Sequence, residues 1–131
     1  HLGTNYNVPH GIAGGVFLRD ITRLNHNAGF HNYSQLYPFI PNADPTIQDK
    51  KMQSESVVNA IESLVDDLNV PCKLETLGVP QGDYDSFYEY STETIKAAFD
   101  FNPIKLDNKK IEIFLKTIMN LKEKESLVYS K

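Results

Sequence analysis

The chain has 131 residues, 40% of them hydrophobic and 23% charged, with 13 basic against 17 acidic side chains and a formal net charge of −4. That length suits one domain with a substantial core, and the acidic balance is the wrong sign for a protein that lives on phosphate backbones. No apolar run approaches the roughly 20 residues a bilayer-spanning helix needs, and the first residues lack the basic and apolar regions of a secretory signal, so neither nucleic acid nor membrane is expected and the address expected is cytoplasmic.

Ile12, Val16, Phe17, Ile21 and Leu24 recur at helical spacing, with Arg19, Asp20 and Arg23 supplying a polar side, which predicts a first helix over 12–25 ended by Ala28-Gly29. A short helical piece over 33–39, marked by Tyr33, Leu36 and Tyr37, stops near Pro38 and Pro41 because proline lacks the backbone donor. Thr46, with Asp49 three residues on, reads as the N-cap of the most periodic segment. Ile47, Ser54, Val58, Ile61, Val65 and Leu68 share a face there until Asn69-Val70-Pro71 breaks it, and Asp66 and Asp67 lie at the end that the helix dipole disfavours for acids.

A single turn at 73–77 comes next, Gly78 and Pro80 punctuate, and Asp83 is expected to cap a helix carrying Phe87, Tyr88, Ile95, Ala98 and Phe99. Asn102-Pro103 closes that element. Asp107 then caps a last amphipathic helix with Ile111, Phe114, Leu115, Ile118 and Met119, and the tail from Lys122-Glu123-Lys124-Glu125 reads as a solvated, fraying end. No period-two alternation is sustained anywhere. The fold class expected is therefore all-α, one domain over 1–131 with about five or six helices.

The stretch Val8-Pro9-His10-Gly11 stands out chemically. A metal-binding histidine must present a neutral ring nitrogen in a fixed direction; Pro9 presets the backbone and Gly11 lets other groups come close. The alternative is a helix start whose His10 bonds a neighbouring carbonyl, and local physics alone favours it. His1, His10, His26 and His31 all fall in the first quarter of the chain. His26 and His31 would diverge by roughly 140° on a continuous helix, so they read as surface loop histidines rather than a zinc pair.

Other chemistry finds little support. The carboxylates Asp66, Asp67, Asp83 and Asp85 look like helix faces or caps, no G-x-S-x-G nucleophile turn occurs, and neither G-x-G-x-x-G nor a P-loop is present. The single cysteine, Cys72, cannot form an internal disulfide and reads as inert packing.

Leu2-Gly3, Tyr6, Val8-Pro9-His10-Gly11 and the helix that runs to Asn25 together resemble the iron-containing (group III) alcohol dehydrogenase family, whose segment has the form H-x-L-G-x-x-[YF]-x-[IV]-P-H-G. Leu68-Asn69-Val70-Pro71, Leu74, Leu77-Gly78-Val79 and the turn Phe101-Asn102-Pro103 extend the likeness downstream, while Ile104 stands where many relatives have arginine. The resemblance implies a dehydroquinate synthase-like C-terminal helical domain of a larger two-domain enzyme, with the N-terminal nucleotide-binding domain absent from this chain. It implies a divalent metal, iron or zinc, held in the cleft by one aspartate and three histidines, of which His10 is the last; His1 falls at a variable position and is not assigned.

The resemblance further implies an NAD(P)-dependent oxidoreductase interconverting small alcohols and aldehydes, in which the metal acts as a Lewis acid and the nicotinamide carries the hydride. The chain alone is expected to be inactive and to bind no cofactor by itself, to pack on its nucleotide domain, and to self-associate as a homo-oligomer. No catalytic or nucleotide-binding residue is assigned to it beyond the metal ligand His10. The rival from another class is a helical scaffold module in which His10 is structural; a carbon-oxygen lyase of the dehydroquinate synthase type fits the architecture but less well the Pro9-His10-Gly11 string.

Overall fold

The computed structural model describes residues 2–121, and among them every regular element is helical. A short helix α1 (Leu2–Tyr6) precedes the long α2 (His10–Asn27); a 3-10 helix over Asn32–Phe39 leads into α3 (Lys50–Asp67). After 3-10 turns at Leu74–Leu77 and Gln81–Asp83 come α4 (Tyr84–Glu89), a π turn over Tyr90–Thr94, α5 (Lys96–Phe99) and α6 (Asn108–Ile118). No helix among the described residues is long and apolar enough to cross a membrane. His1 and the Lys122 to Glu125 tail lie outside the described residues.

The core forms where the apolar stripes of α2 and α6 meet. Val16, Leu74, Phe87, Ile111, Leu115 and Ile118 are buried together, and Leu2 and Val8 bring the N-terminal segment into the same cluster. Asp107 caps α6 as its position suggests, accepting from the Lys110 N–H at 2.8 Å. The cap of α3 differs from expectation: Asp49 accepts from the Met52 N–H at 2.8 Å, while Thr46 turns back to Asp44, its hydroxyl 2.6 Å from Asp44 Oδ1. Asp44 thus competes successfully for the hydroxyl that would otherwise have capped a helix.

The helix expected from Asp83 to Phe99 is not continuous. It passes through the π turn and breaks at Ile95, whose φ of −110° and ψ of 17° leave the helical region. Leu68, expected on the buried face of α3, lies just past the helix end and is 64% exposed, while Val57 is buried at 1%.

A second interface is polar. Arg23 donates to Glu62 Oε1 (2.8 Å), Glu55 Oε1 (2.7 Å) and Asn59 Oδ1 (2.7 Å), so the planar guanidinium spans two turns of α3. Arg19 pairs with Asp66 at 2.6 Å, which offsets the unfavourable position of that acid at the end of α3. His26 is not a surface loop residue: it sits in the last turn of α2, 3% exposed, with Nδ1 2.8 Å from Ser54 Oγ and Nε2 2.6 Å from Glu55 Oε2. Burial of a polar ring is tolerated because both nitrogens are satisfied.

The C-terminal end of α2 is held as well. Asn25 and Asn102 exchange side-chain amide bonds at 3.0 and 2.6 Å, which docks the Asn102-Pro103 turn onto the helix. Those two asparagines belong to two separate stretches that carried the family resemblance.

Two outcomes are expected from the α2–α3 interface. His26→Ala removes the partner of the fully buried Ser54 hydroxyl and opens a cavity, so it should cost about 2–4 kcal/mol in denaturant unfolding; a loss under about 0.5 kcal/mol would contradict the assignment. Arg23's hydrogen bond holds the Glu55 carboxyl below its ordinary value. A depressed carboxylate contributes stability above its unfolded value, about 4.3, that is lost as pH falls through the folded value. Urea midpoints should therefore fall on acidification below about pH 4.3, less steeply in Glu55→Gln; equal slopes would count against the pair.

Candidate functional site

Three backbone choices bring His10 to the surface. Asn7 takes φ +55°, a left-handed conformation that asparagine tolerates better than most residues, and ends α1. The Val8 N–H then donates to the Leu2 carbonyl at 3.3 Å while its side chain drops into the core at 7% exposure. Pro9 (φ −55°, ψ 142°) sets the entry to α2, and its carbonyl accepts the Ala13 N–H at 2.9 Å. His10 is thus the first residue of α2, exposed, on a turn fixed at both sides.

The imidazole bonds no carbonyl among the described residues. Among the described residues its ring nitrogens have no hydrogen-bond partner, in contrast to the fully engaged His26. The bare backbone beside it is open: a Cβ on Gly11 or Gly14 would meet nothing within 4 Å. His10 stands at the rim of a groove of about 450 Å³ with a mostly apolar lining that includes Leu2, Val8, Phe17, Tyr90 and Ile95.

Part of this lining depends on the π turn. Ile95 donates its N–H to the Tyr90 carbonyl at 3.1 Å, a bond spanning five residues. In an α-helix, residues so spaced would diverge by roughly 140°; the wider turn brings both to the groove. Tyr90, Ile95 and Phe17 carry no signal as site residues in the sequence, because a π turn has no residue pattern that separates it from a helix.

Remaining candidates do not converge on chemistry. The rings of His26 and His31 lie 5.0 Å apart, but His26 has both nitrogens engaged. Asp66 is paired with Arg19, Asp83 accepts from the Tyr6 hydroxyl, and Cys72 is half-buried. Asp20 lies elsewhere, beside a cavity of about 430 Å³ between α2 and α6. Burial pushes its carboxyl up, with Lys73 and Arg19 opposing. A larger apolar hollow of about 630 Å³ between the Asn32–Phe39 helix and α3 has Asp67 as its one ionisable lining residue among those described.

No group of three or more histidine, cysteine or acidic side chains among the described residues could enclose a metal. Iron or zinc requires about four donors or more, so the described residues could supply at most part of such an ion's coordination. An exposed imidazole with unbonded nitrogens on a fixed turn, flanked by open backbone, suits that part.

Compared with known proteins, residues 1–119 match the family model described as "Fe-containing alcohol dehydrogenase family, C-terminal". Over 114 residues the chain is 30% identical to a 1,3-propanediol dehydrogenase of Citrobacter freundii, a match covering 86% of this chain and 29% of that relative. The chain therefore spans less than a third of the relative's length.

The glycines of α2 offer a direct check of the groove's geometry. Gly14→Ala, whose methyl enters open space, is expected to stabilise the protein by about 0.5–1 kcal/mol. Gly15→Ala should gain less or lose stability, since its Cβ would come to 3.0 Å from Val70 Cγ1. Parallel urea unfolding distinguishes them; equal stabilisation by both would contradict the described packing.

Proposed function

The chain belongs to the Fe-containing alcohol dehydrogenase family as its C-terminal helical part, and from that premise we propose that it supplies one metal ligand, His10, and a wall of the substrate cleft in an NAD(P)-dependent alcohol dehydrogenase. The observation that carries this reading is an exposed imidazole without a hydrogen-bond partner among the described residues, held on a rigid turn at the rim of an apolar groove. A helical scaffold would have no need to fix a histidine so firmly and leave it unbonded.

Each residue has a part that accords with its placement. Pro9 and the left-handed Asn7 aim the ring, so little freedom is lost when a nitrogen lone pair engages a metal. Phe17, Leu2, Val8 and Ile95 offer apolar contact to a short carbon chain and keep water away from it. Gly11 and Gly14 leave room for groups arriving from the N-terminal nucleotide-binding part of the same protein, which would bring the remaining donors. When bound, the metal supplies Lewis acidity that eases loss of the alcohol's proton, and the nicotinamide supplies the hydride acceptor.

The metal is iron or zinc, and likeness to a 1,3-propanediol dehydrogenase supports a small alcohol or its aldehyde as substrate. Assembly as a homo-oligomer and a cytoplasmic address belong to the same proposal. The test uses the full-length protein, wild type and His10→Ala, with metal content measured alongside NAD(P)-linked oxidation of a panel of small alcohols. The expected result is loss of bound metal and a fall in kcat/KM of at least about a hundredfold. Unchanged metal content and activity would return His10 to a structural role.

A further inference from the structure

We propose that Tyr6 and Asp83 are positioning residues for His10, their hydrogen bond strapping the turn that carries the imidazole to the segment that runs into the π turn lining the same groove. The inference rests on the reading of His10 as a metal ligand. It starts from an aspartate that does not do what its position suggests. Asp49 and Asp107, each standing just ahead of a helix, accept a backbone N–H from the first turn. Asp83 also precedes a helix, α4, but it is the last residue of the 3-10 turn Gln81–Asp83 with its backbone already turned (φ −86°, ψ 6°), so its side chain makes no cap bond and is left for a partner elsewhere.

That use is the Tyr6 hydroxyl, which donates to Asp83 Oδ2 across 77 positions of sequence. The Tyr6 ring stacks on Phe87, centroids 5.8 Å apart and planes 24° apart, and Phe87 is buried in the core. Tyr6 is thereby fixed both along its ring and at its tip.

The strap joins two segments that line the groove. α1 contributes Leu2, Gly3 and Thr4 to the lining, and the turn after it carries Val8 and His10; α4 runs directly into the π turn that places Tyr90 and Ile95 there. A five-residue helix such as α1 has no stability of its own and depends on tertiary anchors. Leu2 and Val8 hold it by apolar burial, which resists separation but does little to fix direction. The hydrogen bond from Tyr6 adds the directional element. Asp83 also pushes the Tyr6 hydroxyl up to about 12, so the donor keeps its proton throughout the neutral range.

The experiment uses the full-length protein and follows release of the bound iron or zinc to a chelator, with thermal unfolding of each variant recorded beside it. Tyr6→Phe keeps the ring on Phe87 and deletes only the hydroxyl; Asp83→Asn keeps an acceptor oxygen, and Asp83→Ala removes it. Release about tenfold faster in Tyr6→Phe and Asp83→Ala, with Asp83→Asn near wild type and melting temperatures little changed, is the expected pattern. Wild-type release in Tyr6→Phe alongside rapid release in His10→Ala would overturn the strap alone, as would Asp83→Asn behaving like Asp83→Ala, or release that merely tracks lost thermal stability. Wild-type release in His10→Ala would instead overturn the ligand reading beneath it.

Discussion

Everything in this domain depends on α2 being gripped along its length from two directions. One face carries Val16 into the apolar core shared with α6; another presents Arg19, Arg23 and His26 to the acids of α3. At its far end Asn25 closes on Asn102. A helix so constrained has almost no freedom to roll or slide, and its first residue inherits that rigidity. His10 is held still because the helix behind it is.

The polar grip is partial burial of charge made tolerable by pairing. Arg23 is shared among three acceptors and His26 between two, so removing any one group leaves others stranded, and the network acts as a unit. A wholly apolar α2–α3 contact would adhere as well but would fix rotation less firmly. The division of labour suits the proposed presentation of one imidazole: an apolar core for adhesion, a polar seam for register, and a proline-led turn for direction.

Much of this is legible in the sequence, and the failures have physical reasons. The stripes of α2, α3 and α6 declare themselves by period, and Asp107 by its place before one of them. The α3 cap lies three residues beyond its expected position because Thr46 and Asp49 are both competent caps and the choice is made by Asp44, a turn residue. The π turn is invisible because its residues suit a helix equally well; what distinguishes it is backbone hydrogen bonding shifted to five-residue spacing, as from the Ile95 N–H to the Tyr90 carbonyl. For His26, spacing to His31 misleads, since its partners are on the next helix. A signal does exist: basic side chains at 19 and 23 and a histidine at 26 on one helix, and acids at 55, 62 and 66 on the next, repeat at helical intervals, a complementary pattern that points to pairing. His10 is marked by its neighbours Pro9 and Gly11, whereas Tyr90 and Ile95, which line the same groove, come to it only through tertiary structure.

The central claim is that His10 touches a metal. The most direct measurement is anomalous diffraction at the absorption edge of iron or zinc from crystals of the full-length, metal-loaded protein. The expected result is a single strong peak about 2.0–2.1 Å from a ring nitrogen of His10, with the other donors coming from outside this helical domain. A peak enclosed wholly by other residues, with the His10 ring turned to solvent, would contradict it.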